Sequence, residues 1–258
     1  MAVNSLFDLS ARTAIVTGGG SGLGLQFAEG LAAAGANLVL AARIAERCEK
    51  AAAGLAQTYG IEAIGMACDV RDPAQVQRTV DSGKQRFGTI DILVNNAGTS
   101  WGAPVVDYPL AGWTKVIDVN LTGTFLFSQA AGREMIAQGG GKIVNVSSVA
   151  AFVGSRPETM DAIAYTTSKG GVGSFTRDLA VKWARHGINV NAIAPGWFPT
   201  ELSEYVLEQS GRALLDDIPL GRFGGTDDLK GALVFLASRA SDYVTGQTLV
   251  VDGGQSIA

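Results

Sequence analysis

Tyr165 and Lys169 close the run Tyr165-Thr166-Thr167-Ser168-Lys169, four residues apart. At about 3.6 residues per turn, that spacing puts both side chains on one face of a helix. A phenol with an ordinary pKa near ~10 is a poor proton carrier at neutral pH. An ammonium held beside it favours the phenolate and lowers that value. A shift of about two to three units corresponds to ~3–4 kcal/mol. It would make Tyr165 a usable general acid and base. The same spacing also fits a plain packing arrangement, with the ring turned inward and the lysine reaching back to water.

The elements around the pair decide between these readings. Residues 13–17 form a short β-branched apolar run, followed by Gly18-Gly19-Gly20-Ser21-Gly22-Leu23-Gly24 and an Ala/Leu-rich helical stretch to about Ala34. Strand, glycine turn and helix in that order bring backbone N–H groups and a helix N-terminus against a phosphate. Glycine lets a ligand approach where a Cβ would block it, and supplies positive φ where needed. The spacing is G-x-x-x-G-x-G rather than G-x-G-x-x-G, and Gly18, Ser21, Gly22, Leu23 and Gly24 are the candidate cofactor contacts. A second buried strand, 37–42, ends at Ala42 with Arg43 directly after it. An acid at this point bonds a ribose 2′-hydroxyl, whereas an arginine accommodates a 2′-phosphate. Arg43 therefore favours NADP(H), with NAD(H) as the alternative; a solvated surface arginine is the competing reading.

The rhythm continues with a helix over 44–59, a strand over 61–67 running into Asp69-Val70, a helix over 73–87 and a strand over 90–94 opening onto Asn95-Asn96-Ala97-Gly98. Such alternation predicts a doubly wound parallel sheet of the α/β class, with helices on both faces. Ligands bind such sheets beyond the carboxyl ends of the strands. Asp69, Val70, Asn96, Ala97 and Gly98 fall there, although Asp69 and Asn96 also suit turn or helix caps. A long helix is expected over 110–138, with Asn120 in its apolar middle, where an amide is unfavourable unless bonded. Gly139-Gly140-Gly141 ends it, a strand over 142–146 leads to Ser147 and Ser148, and a loop over 150–161 leads into the tyrosine helix, to about Arg185. A strand over 188–194 ends in Pro195-Gly196-Trp197-Phe198-Pro199-Thr200, of which Pro195, Gly196, Phe198 and Thr200 are candidate cofactor contacts. Residues 201–225 read as a mobile substrate lid, before a helix over 227–238 and a strand over 248–251. With no linker, repeat or low-complexity block, 1–258 reads as one dinucleotide-binding catalytic domain.

Thr17-Gly18-x-x-x-Gly22-x-Gly24, Asn95-Asn96-Ala97-Gly98, Asn120, Ser148, Tyr165-x-x-x-Lys169 and Pro195-Gly196 occur in the order found in the short-chain dehydrogenase/reductase family, which the chain resembles from about Ser10 to Gly254. The resemblance implies a Rossmann-like sheet of about seven strands and nicotinamide-dependent hydride transfer between NADP(H) and a ketone or secondary alcohol. It also implies a homo-oligomer, a tetramer or a dimer. By the same resemblance Tyr165 is the acid/base. Lys169 holds the nicotinamide ribose and depresses the phenol, and Ser148, rather than Ser147, bonds the reacting oxygen. Asn120 positions a water, Asp69 meets the adenine, Asn96 to Gly98 meet the ribose region, and Pro195 to Phe198 meet the nicotinamide. The run Met160-Asp161-Ala162-Ile163-Ala164-Tyr165, with Gly196-Trp197-Phe198-Pro199, is similar to the gluconate 5-dehydrogenase-like branch. Ser21 departs from members that carry a basic residue there, which leaves the 2′-phosphate to Arg43. The loop between Ser148 and Tyr165 is longer than in many members; it holds Arg156, Glu158 and Asp161 and is expected to border the substrate.

A net charge of −4 without a Lys/Arg run speaks against a nucleic-acid partner. No apolar run reaches membrane-spanning length and the first ten residues lack a signal-peptide pattern, so a cytoplasmic protein without membrane contact is expected. Cys48 and Cys68 are expected as buried free thiols. A single histidine, His186, fits a helix C-terminus, and with so few ligands no metal site is expected. Two alternatives stand beside the oxidoreductase: a lyase or isomerase with bound nicotinamide, and a non-catalytic cofactor-binding regulator on the same fold.

Overall fold

Residues 2–258 are described by a computed structural model. The elements run β1 (Thr13–Thr17), α1 (Gly22–Ala33), β2 (Asn37–Ala42), α2 (Ala45–Tyr59), β3 (Ala63–Ala67), α3 (Pro73–Phe87) and β4 (Ile92–Asn95). They continue with α4 (Leu110–Ile117), α5 (Gly123–Gln138), β5 (Gly141–Val146), α6 (Ile163–Trp183), β6 (Ile188–Pro195), α7 (Glu204–Asp216), α8 (Lys230–Ala237) and β7 (Thr248–Val251). All seven strands are parallel, in the order β3-β2-β1-β4-β5-β6-β7.

Strand alternation produces the two apolar layers. Ala14 and Val16 join Leu38, Leu40, Phe27, Leu31 and Leu233 on the face covered by α1, α2 and α8. Ile15 and Val39 join Val80, Phe127, Met135 and Leu179 on the face covered by α3, α5 and α6. Each fully buried side chain of this size contributes ~1.5–3 kcal/mol. Cys48 and Cys68 are buried free thiols within these layers. No described helix is long and apolar enough to cross a membrane.

Several boundaries differ from the sequence reading. β3 starts at Ala63 rather than 61, and β4 at Ile92 rather than 90. The last helix starts at Lys230, because Asp228 accepts the Gly225 N–H at 2.7 Å and pairs with Arg222, holding a turn where helix was expected. The long helix is interrupted by a π-helical turn at Asp118–Thr122, centred on Asn120, whose carbonyl accepts the Thr124 hydroxyl at 2.8 Å. An inserted residue of this kind redirects a side chain without ending the helix. Segment 201–225, expected as a mobile stretch, contains α7. His186 lies in a 3₁₀ turn after α6, where its Nε2 accepts from Arg185 Nε at 3.2 Å.

The order of the strands reverses between β1 and β4, so their carboxyl ends open a crevice. Asp91 fixes the opposite end of this pair. Its carboxylate accepts from Arg12 Nη1 at 2.8 Å, the Thr13 N–H at 3.0 Å and the Thr89 hydroxyl at 2.7 Å. Asp91→Ala leaves these donors without their acceptor and is expected to cost about 1–3 kcal/mol of stability, read as a lower urea midpoint. An unchanged midpoint would mean that the clamp adds nothing.

Candidate functional site

The first turn of α1 faces the crevice. Its N-cap, Ser21, makes no side-chain cap bond, so the first backbone N–H groups, those of Gly22, Leu23 and Gly24, have no side-chain acceptor there. Such a terminus attracts an anion. Gly18 has φ +66°, and a Cβ on it would stand 2.8 Å from Asn96 Nδ2. A Cβ on Gly24 would overlap the Gly18 carbonyl. The turn therefore folds onto itself and onto the β4 end. Thr17 completes the seam: its hydroxyl accepts the N–H groups of Asn96 and Ala97, both at 2.9 Å, and Asn96 Nδ2 donates to its carbonyl at 2.9 Å.

At the ends of β2 and β3, Arg43 is exposed and close enough to help hold the Asp69 carboxyl down. The main cause is Arg71, which donates to Asp69 through Nε at 3.0 Å and Nη2 at 2.6 Å, bringing the carboxyl to about 2. Asp69 is thus already ion-paired. Val70 packs under the start of α5, against Gly123. On the far side Pro195 ends β6, and the Gly196 N–H bonds the Val251 carbonyl at 2.9 Å. Phe198 turns its ring into the core, against Gly224, which leaves its backbone at the crevice. Ser203 locks this turn by donating to the Phe198 carbonyl at 2.6 Å and accepting the Thr200 N–H at 3.0 Å.

Beyond β5 the four expected catalytic side chains converge. Lys169, only 5% exposed, donates from Nζ to the Val146 carbonyl at 2.7 Å. The Ser148 hydroxyl lies beside the Tyr165 phenol, near enough to hold its pKa down. Ser147 points elsewhere, donating to the Lys169 carbonyl at 3.0 Å, which leaves Ser148 as the serine beside the phenol. Asn120 is 1% exposed; its Oδ1 accepts the Thr99 N–H at 2.8 Å and its Nδ2 donates to the Thr99 carbonyl at 3.0 Å and to Ser168 Oγ at 2.9 Å. Ser168 in turn donates to the Tyr165 carbonyl at 2.7 Å. Gly98 lies beside both groups, since a Cβ there would be 3.6 Å from Asn120 Oδ1 and 3.7 Å from Lys169 Nζ.

Thr17, Thr99 and Ser168 are the connecting residues that sequence reasoning did not assign. Thr17 opened the glycine motif without an assigned role, and Ser168 stood three places after Tyr165, on its helix face; Thr99 carried no signal.

The expected depression of the phenol is not found. Burial pushes Tyr165 above its ordinary value, opposed only by the Ser148 hydroxyl beside it. Burial also lowers Lys169 to about 8. The ammonium is committed to the Val146 carbonyl and lies 5.6 Å from the centre of the Tyr165 ring. Desolvation dominates at both groups. Among the described residues no group of three or more His, Cys, Asp or Glu side chains is placed to hold a metal ion.

Comparison with known proteins matches this architecture along almost the whole chain. A family model described as enoyl-(acyl carrier protein) reductase covers residues 18–256. Gluconate 5-dehydrogenase of Gluconobacter oxydans (strain 621H) is 40% identical over 255 residues, 98% of each chain. A short-chain type dehydrogenase/reductase from Mycobacterium marinum superposes with a TM-score of 0.95 at 38% identity, covering 100% of both chains. A gluconate 5-dehydrogenase from Burkholderia cenocepacia J2315, solved in complex with NADP and tartrate, gives 0.93 at 41% identity, again over 100% of both. With the sheet order, the glycine turn and the Ser148–Tyr165–Lys169 cluster, these matches make the chain a member of the short-chain dehydrogenase/reductase family.

Proposed function

We propose that the chain is an NADP(H)-dependent oxidoreductase that interconverts a ketone and a secondary alcohol on a small polyhydroxylated acid or related polyol. The observation that carries the reading is the convergence of Ser148, the Tyr165 phenol and the buried Lys169 beside Asn120, at the mouth of a crevice built for a dinucleotide. The substrate class rests on the sugar-acid relatives and on the tartrate bound by the Burkholderia protein.

The cofactor fits the residues present. The open N-terminus of α1 and the close-packed glycines suit its diphosphate. Arg43 suits a 2′-phosphate, and the turn after β6 suits the nicotinamide. The bound nicotinamide supplies or takes up the hydride; the chain's side chains handle the proton. Ser148 donates toward the reacting oxygen, where negative charge develops. Tyr165, with its pKa raised, keeps its proton at neutral pH and gives it up in the reduction direction. Lys169 supplies the positive charge behind it, and Asn120 holds the floor through Thr99 and Ser168. Residues 201–225 act as a substrate lid: α7 buries only Leu214, while Leu202 just before it and Tyr205 in its first turn are exposed beside the turn that follows β6.

The test is a panel of keto-sugar acids, β-ketoacyl esters and simple ketones with NADPH and NADH in parallel. Tyr165→Phe should lose nearly all turnover while still binding cofactor. Near-normal turnover by that variant would remove Tyr165 from the mechanism, and conversion without net change in nicotinamide absorbance would mark a lyase or isomerase. In the reduction direction kcat/KM should fall as pH rises through about 8, where Lys169 loses its charge; a flat profile to pH ~10, the ordinary phenol range, would show that the cation is not needed.

Arg43→Ala should weaken NADPH binding by about one to two decades, the loss of a charge-assisted bond of roughly 1.5–3 kcal/mol, and leave NADH nearly unchanged. Equal effects on both cofactors would make Arg43 a surface cation only. For the lid, the amides of α7 should exchange faster than those of α6 in the free protein and slow when cofactor and a substrate analogue are both bound; core-level protection without ligand would mean that α7 is a fixed surface helix.

A further inference from the structure

Arg47, in the first turn of α2, reaches across the glycine turn to Glu201. Its Nη1 lies 3.2 Å from Oε1 and 3.1 Å from Oε2 of a carboxylate 154 residues away in the chain. Both ends are anchored on the phosphate end of the crevice. The Arg47 stem packs against Gly20, where a Cβ would stand 3.2 Å from its own Cβ. Glu201 directly follows Thr200, whose methyl group lies 3.6 Å from the position of a Cβ on Gly22. Beside the pair a groove of about 640 Å³ runs between α1 (Leu25, Glu29) and α2 (Lys50, Gly54, Thr58), reaching Gly20 and Ser21 of the glycine turn at one end. The ion pair thus joins the start of α2 to the turn after β6 across the glycine turn that leads into α1. With side-chain exposures of 49% and 71%, it stays in contact with water. Exposed pairs of this kind are weak and easily parted.

We propose that the Arg47–Glu201 pair is a strap over the phosphate end of the cofactor site, which must open for the dinucleotide to enter or leave. The proposal rests on the dinucleotide reading of the glycine turn. It assigns Arg47 a role different from that of Arg43: Arg43 discriminates between cofactors, whereas Arg47 sets how fast either one exchanges. Because the strap closes over bound and free protein alike, its loss speeds both directions and leaves the equilibrium in place. A phosphate ligand would instead change the affinity.

Stopped-flow nicotinamide fluorescence with Arg47→Gln, Glu201→Gln and the double variant tests this, using NADPH and NADH separately. Each variant should raise association and dissociation rates together, about two- to fivefold, the range of an exposed ion pair. The double variant should match the singles, and Kd should hold within about twofold by the same argument. In 1 M salt, where the screening length falls to about 3 Å, the wild-type rates should converge on those of the variants. Unchanged rates, or additive effects of the two singles, would overturn the strap. So would Kd shifts of opposite sign, because Arg47 would then be a phosphate ligand competing with Glu201. Wild-type protein that binds neither nicotinamide would overturn the dinucleotide reading and the strap with it.

Discussion

At Lys169 an amine on a four-carbon stem is taken almost wholly out of water, and the surrounding elements are arranged to tolerate it. Removing an ammonium from water costs several kcal/mol unless its donors find partners. The Val146 carbonyl, at the carboxyl end of β5, is one such partner, and Ser147 returns a bond to the lysine's own carbonyl, stitching β5 to α6 from both sides. Those two contacts fix the rotation of α6 about its axis. Tyr165, one turn earlier on the same face, is thereby brought to Ser148. Asn120 reaches the same helix through Ser168, and the π-helical turn at Asp118–Thr122 is what aims its amide inward. The site is thus a consequence of how one buried cation is accommodated at the end of a central strand.

That accommodation also explains why the phenol is raised rather than lowered. A cation stabilises a phenolate only if it stays charged and faces the oxygen. Here Lys169, lowered to about 8 by burial, is still charged at neutral pH, but it directs a proton at the Val146 carbonyl. Lack of water disfavours the ionised form of each group, so the half-buried phenol keeps its proton at neutral pH while the amine, lowered to about 8, keeps its charge. A neutral phenol beside Ser148 is the form that the proposed proton donation requires.

Much of this was legible in the sequence where a residue's type dictates its place. The βα alternation gave the sheet, the glycine spacing located the turn into α1, and Tyr165-x-x-x-Lys169 identified a shared helix face. The failures have specific physical causes. Nothing in the 110–138 pattern distinguishes an α-helix from one carrying a π-helical turn, because the apolar spacing continues through it. Ser147 and Ser148 are equivalent in sequence and differ only in which side of β5 each faces. Asp69 stood at a strand end as an acid should, but its commitment to Arg71 depends on a local turn. Asn95, Asn145, Ser128 and Thr176 form a buried polar layer between β4, β5, α5 and α6, linked by bonds of 2.9–3.0 Å. Each looks like an ordinary strand or helix residue until the layers are assembled.

The division between fixed and variable parts of the site follows from the same packing. Thr99 lies on the border: Asn120 holds both its N–H and its carbonyl, so the connection leaving β4 is rigid there. Farther along, Trp101 packs on Gly112 of α4, Tyr108 donates to its carbonyl at 2.9 Å, and the Ala103 N–H bonds the Asp161 carbonyl at 2.9 Å. This wall is anchored at several points. The facing wall is held more sparsely: the 152–161 connection is tied to the first wall through Asp161, and a 3.4 Å contact from Ser210 to the Glu158 carbonyl joins it to α7. Side chains on that second wall, Arg156 and Tyr205 among them, can change without disturbing Lys169, Tyr165 or the strand ends, because none of the bonds that position the proton machinery passes through it. Relatives near 40% identity share the fold to a TM-score above 0.9, and what such a shared fold acts on is set by the loops it carries.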